Sequence, residues 1–331
     1  RGQNNYFPEL ETLAAELHQA IGHKGGPLSQ RLSADLASHL GFTLHYVSDL
    51  PFSTRSVTDA KNMRIYLPRQ AQGDPRTILL QALAAFALGN KDVKSYEDFL
   101  QQRVEINYLA GALLIDQTSA VKFLKEAKQN RELAVEDLRD TYAVGYETAA
   151  HRFTNLATEH LGIPVHFLKA HSTGALSKAY ENDGVLFPTD ALGAVEGQTV
   201  CKRWSARQVF GHEDRLTPFH QYTDKPNGTY WCTSRIESGP SGDFSISVGT
   251  PFEHVKWFRG RETKRRGFSS CPDENCCRVP SAEMTNRWAG YAKPQAVVNS
   301  SLLAAMPKGP VPGVDQIEVF EFLETHSPKD S

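Results

Sequence analysis

The sequence predicts an α+β protein, helical in its first half and built on an antiparallel sheet in its second. Three observations predict it. Up to residue 160 apolar residues recur at helical spacing, as in Leu10, Leu13, Ala14 and Leu17. After Pro164 the period shortens to two, the mark of half-buried strands. Within that second part Asn227-Gly228 stands between two alternating segments, a strong short-range hairpin signal. A length of 331 residues allows two domains, and the change of texture places them at 1–160 and 161–331.

The elements follow in order. The break Gly25-Gly-Pro27 closes the first helix, and Leu28 to Leu40 forms a second. Phe42 to Tyr46 alternates as a strand, with Arg64 to Leu67 as its partner. Helical patterns occupy Thr77 to Gly89, Tyr96 to Leu114, Ala120 to Asn130 and Thr141 to His160, closed by Gly162 and Pro164. Val165 to Ala170 then alternates, turns through Ser172 to Ala175, and returns as Leu176 to Tyr180. Phe219 to Tyr222 and Tyr230 to Ile236 form the second hairpin, and Phe244 to Val248 adds a strand. Leu32 to Gly41 has the outline of half a helix-turn-helix motif. No basic recognition helix follows it, so it reads as core packing.

Composition excludes several classes. Lys and Arg total 36 against 38 Asp and Glu, a formal charge of -2, without the basic excess of a chain devoted to nucleic acid. One local exception is Arg259 to Arg266, with five basic residues in eight. No apolar run approaches the roughly 18 residues of a membrane span. The start lacks both Met and a signal pattern, and reads as an excised piece of a cytoplasmic protein. Five cysteines, none before Cys201, do not make a secreted disulfide framework; thiols or metal ligands fit better.

The helix Thr77 to Gly89 has the apolar frame of a zinc metallopeptidase helix. Such a helix needs two His at i and i+4 for the metal and a Glu between them as general base. Those slots read Gln81, Ala82 and Ala85, none of which can ligate or abstract a proton. From Arg103 to Leu114 of the next helix, where a third ligand would sit, Glu105 alone offers a carboxylate, and zinc hydrolysis is not expected. Taken with the preceding strand pair, this stretch resembles the metallopeptidase-like domain of stress-response and immunity-repressor peptidases, with its metal site erased.

The strongest chemical signal is Cys271, Cys276 and Cys277, three thiols within seven residues threaded with Pro, Asp and Asn. There are no paired C-x-x-C knuckles of structural zinc, whereas iron–sulfur clusters accept looser spacings and need four ligands. Cys201 and Cys232 are the remaining thiols. Lys264, Arg265 and Arg266 nearby would favour thiolate and offset a cluster's charge.

These pieces appear in a particular order: the degenerate peptidase-like helices, Tyr146 to Leu156, the hairpin Phe167 to Tyr180, Val200-Cys201-Lys-Arg-Trp204, and the cysteine loop. In that order the chain resembles the short-chain fatty-acyl transcription regulators of actinobacteria over nearly its whole length. The branch it is most similar to governs propionate (methylcitrate-cycle) genes. The resemblance implies a non-enzymatic sensor that binds acyl-coenzyme A and a 4Fe–4S cluster. It also implies a DNA-binding helix-turn-helix domain preceding the present chain, and assembly as a homo-oligomer, dimer or tetramer. The family pattern has one Cys before a Trp, matched by Cys201, and a later C-x-x-C-x-x-x-x-C run. Cys271 and Cys276 match the last two positions of that run, and Phe268 replaces its first. The fourth ligand is then Cys277 or Cys232.

Coenzyme A carries a diphosphate and a ribose phosphate, which need Arg or Lys, and an arm that needs a narrow apolar slot. Arg152, Lys169, Lys178, Lys202 and Arg203 are the candidate cations, with Trp204, Phe167 and Tyr180 to stack or line the slot. His166 and His171 read as structural. Ligand binding would shift the population of an oligomer and thereby its competence for DNA. Two rivals remain: a cysteine-dependent acyl-coenzyme A hydrolase using Cys201 or Cys271, and a zinc-stabilised interaction module.

Overall fold

A computed structural model describes residues 4–70, 73–89, 94–190, 193–239, 242–273, 282, 286, 322–323 and 325–326. The chain divides into two compact units, Pro8–Asp116 with Pro294–Ser331, and Arg1–Phe7 with Gln117–Lys293. The architecture is α+β, as expected.

The first unit runs α1 (Pro8–Ala20), α2 (Gln30–His39), β1 (Thr43–Val47), β2 (Val57–Asp59), β3 (Arg64–Pro68), α3 (Pro75–Ala87) and α4 (Tyr96–Leu114). Leu10, Ala14 and Leu17 of α1 are buried, so the apolar stripe faces the core. Ser29 caps α2 by accepting from Leu32 N, and Leu36 and Ala37 of that helix are fully buried, which bears out its reading as core. The strand pair is present but parallel, β1 on β3 with Thr43 opposite Arg64. A third strand, β2, pairs antiparallel with β3 and was not foreseen, three residues being too short for a periodic signal. Tyr66 of β3 packs on Phe322, and its hydroxyl donates to the His326 carbonyl at 2.9 Å. Gln81 of α3, at one of the positions a metallopeptidase helix would give to a ligand, donates its Nε2 to Asn107 Oδ1 of α4 at 2.8 Å.

The second unit runs α5 (Gln117–Gln129), α6 (Val135–Tyr142), α7 (Tyr146–Leu161), β4 (His166–His171), β5 (Leu176–Glu181), α8 (Ser205–Gln208), β6 (Phe219–Lys225), β7 (Gly228–Gly239), β8 (Gly242–Pro251) and β9 (Arg266–Phe268). Its six strands lie in the order β5-β4-β8-β7-β6-β9, antiparallel except for β6 on β9. The hairpin at Asn227-Gly228 is where the sequence places it, Lys225 facing Gly228.

Helices α5 to α7 belong with this sheet, so the division falls after Asp116 and not at the change of texture near residue 160. The physical reason lies in long-range bonds. Leu133 bridges Phe258, accepting from Arg259 N at 3.0 Å and donating its own N–H to the Trp257 carbonyl at 3.0 Å. The Arg259 guanidinium reaches Glu132 and Asp137, and Glu237 of β7 accepts from the first backbone N–H groups of α7. A carboxylate there complements the positive end of the helix.

The sheet has two unlike faces. One takes Phe167, Trp231 and Ile246, against which α7 and Phe258 pack. His220 lies on that side, stacked on Trp231 with ring centroids 5.4 Å apart and against Gly260, where a Cβ would meet the ring at 2.3 Å. Burial pushes the His220 imidazole down to about 4, a shift that Glu262 opposes and that Arg265 and Arg259 assist. A folded value below the ordinary 6.5 gives stability that is present above about pH 6.5 and lost as pH falls towards 4. We expect His220→Phe, which keeps the stacking without the proton, to flatten that part of the stability–pH curve in chemical denaturation.

Candidate functional site

The opposite face of the same sheet is small, polar and sulfur-bearing. Alternation along each strand brings His166, Leu168 and Ala170 of β4 to this side, with Ser245, Ser247 and Gly249 of β8, Tyr230, Cys232 and Ser234 of β7, and Gln221, Thr223 and Lys225 of β6. Its polar groups are paired: the hydroxyls of Ser205, Ser234 and Ser247 form a buried chain with steps of 2.5 and 2.6 Å, and Gln221 donates to the Arg203 carbonyl at 2.7 Å.

Two distant cysteine segments meet over this face. Cys201, Trp204 and Cys271 share one apolar cluster with Leu168, Val185 and Phe187. The Ser269 hydroxyl links them, accepting from Trp204 Nε1 at 3.0 Å and from Cys271 N at 3.1 Å. Lys225 enters the same place. Its ammonium donates to the Leu186 carbonyl at 2.6 Å and lies 4.1 Å from the centroid of the Trp204 ring. Burial pushes this ammonium down to about 8, although the sulfurs of Cys271, Cys201 and Cys232 and the Asp183 carboxylate all lie close enough to pull it up. Neither Lys225 nor Ser269 carries a sequence signal; both stand out only once the sheet is assembled.

The thiols Cys201, Cys232 and Cys271 are buried and none is in a disulfide. Cys276 and Cys277 lie outside the described residues. Among the described residues, no three ligating side chains of His, Cys, Asp or Glu are close enough to hold one ion. Cys232 has a different partner from the other two: its sulfur is 3.2 Å from His166 Nε2, and His166 Nδ1 is 2.6 Å from Asp183 Oδ2. The imidazole and the carboxylate are 1% and 0% exposed. Burial pushes His166 down, but the Asp183 charge beside it, helped by Cys232, overrides this and raises it to about 10. Gly249 makes room for the contact, since a Cβ there would sit 2.2 Å from His166 Nε2 and 2.8 Å from Cys232 Sγ.

The candidate coenzyme A cations do not form one group. Arg152 is 1% exposed, inside the unit. Lys169 and Lys178, opposite each other on β4 and β5, both donate to Glu147 at 2.7 Å. Burial alone would raise that carboxyl; hydrogen bonds from His151 and the two ammoniums, with the charge of Lys178, hold it far below the usual range. Lys202 and Arg203 are exposed beside Cys201, the Arg203 guanidinium donating to the Phe268 carbonyl at 3.3 Å. Trp204 is buried between the cluster and Lys225. The basic run after Arg259 is largely committed to the protein itself, Arg266 to Asp224 and Arg265 to His212.

Comparison with known proteins adds an independent line. No family model matches the chain. The HTH-type transcriptional regulator RamB of Mycobacterium tuberculosis, from strains CDC 1551 and H37Rv, is 23% identical over 297 residues, covering 84% of this chain. The chain spans 59% of the length of those relatives. A solved Mycobacterium tuberculosis transcriptional regulator shares the fold, with a TM-score of 0.63 at 19% identity, covering 85% of this chain and 89% of that one. The chain is similar to these mycobacterial transcription regulators. These relatives are named as regulators and not as enzymes, in keeping with the expected absence of catalysis. No described helix is long and apolar enough to cross a membrane.

We expect Gly249→Ala to push His166 and Cys232 apart and to cost about 2 kcal/mol as an overpacked core. A urea denaturation midpoint measures this, and an unchanged midpoint would refute the close packing described.

Proposed function

We propose that this chain is the ligand-sensing portion of a transcription regulator that binds short-chain acyl-coenzyme A, of the propionyl class, and carries a 4Fe–4S cluster. In this reading it controls genes of propionate and short-chain fatty acid use, including the methylcitrate cycle. It works as a cytoplasmic homo-oligomer, and DNA is engaged by a helix-turn-helix domain outside the present chain. Support for the DNA partner comes from relatives whose name carries that motif.

The observation that carries the reading is the tie through Ser269. It brings Cys201 and Cys271 into one buried cluster, next to the exposed cations Lys202 and Arg203. The donor chemistry fits a cluster: soft sulfurs from two segments, a buried ammonium to offset negative charge, and an apolar surround. Cys201, Cys271 and Cys276 would hold it, with Cys277 preferred to Cys232 as the fourth because the Cys232 sulfur is engaged by His166. When bound, such a cluster supplies a one-electron centre and a cross-link between the two segments. Lys202 and Arg203 would meet the phosphates of the nucleotide thioester, and Trp204 would fix the segment that carries them.

Iron and sulfide assays on protein purified without oxygen test the cluster, with about four irons per chain expected. Calorimetry with propionyl-coenzyme A tests the ligand. Removing one charge-assisted phosphate contact, by Lys202→Ala or Arg203→Ala, should weaken binding about tenfold. A colourless, zinc-loaded chain without affinity for propionyl-coenzyme A overturns the reading in favour of an interaction module. Turnover of that compound overturns it in favour of an enzyme.

A further inference from the structure

Cys232, His166 and Asp183 come from β7, β4 and the segment after β5, and the sheet lines them up as thiol, imidazole and carboxylate. This is the arrangement by which a sulfur nucleophile is matched with a proton carrier and the carrier is held by a third group. We propose that Cys232 is a peroxide-reactive thiol, oxidised stoichiometrically to a sulfenic acid, with His166 as its proton carrier and Asp183 as the positioning residue.

Three further observations favour this over a merely satisfied buried hydrogen bond. First, Asp183 is held at both oxygens: Oδ1 accepts from Val185 N at 3.1 Å, which leaves Oδ2 aimed at the imidazole. Second, β8 gives up a side chain at Gly249, where any Cβ would intrude between sulfur and ring. Third, Cys232 is the least buried of the three described thiols, at 7% exposed against 5% for Cys271 and 0% for Cys201. A thiol so nearly buried is matched to a small uncharged oxidant and not to a bulky one. Tyr230 and Phe187 pack against the imidazole edge-on, at 5.8 and 6.3 Å, and keep bulk water from competing for the proton.

The step balances without further reagents. One proton is shared between Cys232 Sγ and His166 Nε2. The sulfur attacks one peroxide oxygen, the O–O bond breaks, and the departing hydroxide takes the shared proton and leaves as water. Cys232 is oxidised to the sulfenic acid and hydrogen peroxide is reduced. The reaction consumes one peroxide per chain and ends there, so it is a modification and not turnover. It requires neither the cluster nor coenzyme A, and therefore stands apart from the function proposed above.

The test treats the intact, reduced chain with low hydrogen peroxide, traps sulfenic acid with dimedone, and compares the labelled cysteines by mass spectrometry. Cys232 should label at least about tenfold faster than Cys201 and Cys271 in the native protein. His166→Gln should slow Cys232 by about a hundredfold, the contribution of a placed proton donor. Asp183→Asn should lower the ratio of Cys232 to Cys201 labelling, whereas a general loosening of the fold would raise both. The proposal is overturned if Cys232 in the unmodified chain labels no faster than Cys201 and Cys271, a result that needs no variant to fold. Iron measured in the same samples bears on the cluster alone, so the two readings fail separately.

Discussion

A buried ammonium sets the terms for the sulfur-bearing face. Lys225 sits at the end of β6, within a hairpin whose register fixes its side, and cannot reach water without breaking the alternation of that strand. An ammonium so placed needs partners, or burial would neutralise it. It has the Leu186 carbonyl and the face of Trp204, and the charges of Cys271, Cys201, Cys232 and Asp183 pull in its favour against burial. Each partner lies on a segment with no regular structure of its own or on a neighbouring strand. Satisfying one cation therefore draws the loop after β5, the Cys201–Trp204 turn and the stretch leading to Cys271 onto the sheet. The neighbouring Ser269 hydroxyl, accepting from two donors, closes the same assembly from above.

Much of the fold was legible because it is written locally. Asn227-Gly228 dictates a tight turn wherever alternating strands flank it, and the stripe Leu10, Ala14 and Leu17 needs a core on one side. What escaped was decided by partners far along the chain. β9 begins on the last residue of the basic run and is a strand because β6 offers it an edge, with Tyr222 opposite Arg266. The boundary was drawn where helices give way to strands, but α5 to α7 belong with the sheet through Leu133, Phe258 and Arg259. Texture reports backbone type, and unit membership reports packing.

The site divides in the same way. Cysteine positions are visible in any sequence, and the meeting of Cys201 with Cys271 could be inferred from the order of motifs. The partner of Cys232 could not: His166 and Asp183 are separated from it by 66 and 49 positions, and His166 read as structural. The pairing of the basic residues was hidden for a related reason. Charge in a sequence says nothing about whether a carboxylate has already claimed it, and Glu147 has claimed both Lys169 and Lys178. Lys202 and Arg203 keep exposure because they flank a cysteine turn whose inward positions are taken by Cys201 and Trp204.

The two faces of the sheet explain how one thin layer serves both stability and chemistry. On the side of α7 the strands present Phe167, Trp231 and Ile246, whose burial contributes on the order of 2 kcal/mol each. That apolar contribution lets the other side hold Ser234, Ser247, Thr223 and Lys225, which return little on burial when hydrogen-bonded and cost dearly when not. A face made of small and polar residues leaves space above it, as Gly249 does for His166 and Cys232. Replacing that face with packed aliphatics would stabilise the unit and remove the place where the Cys232 sulfur, the His166 imidazole and the Asp183 carboxylate are brought together. The polar face is thus held at some expense in stability, met by the apolar packing on the other side of the same strands.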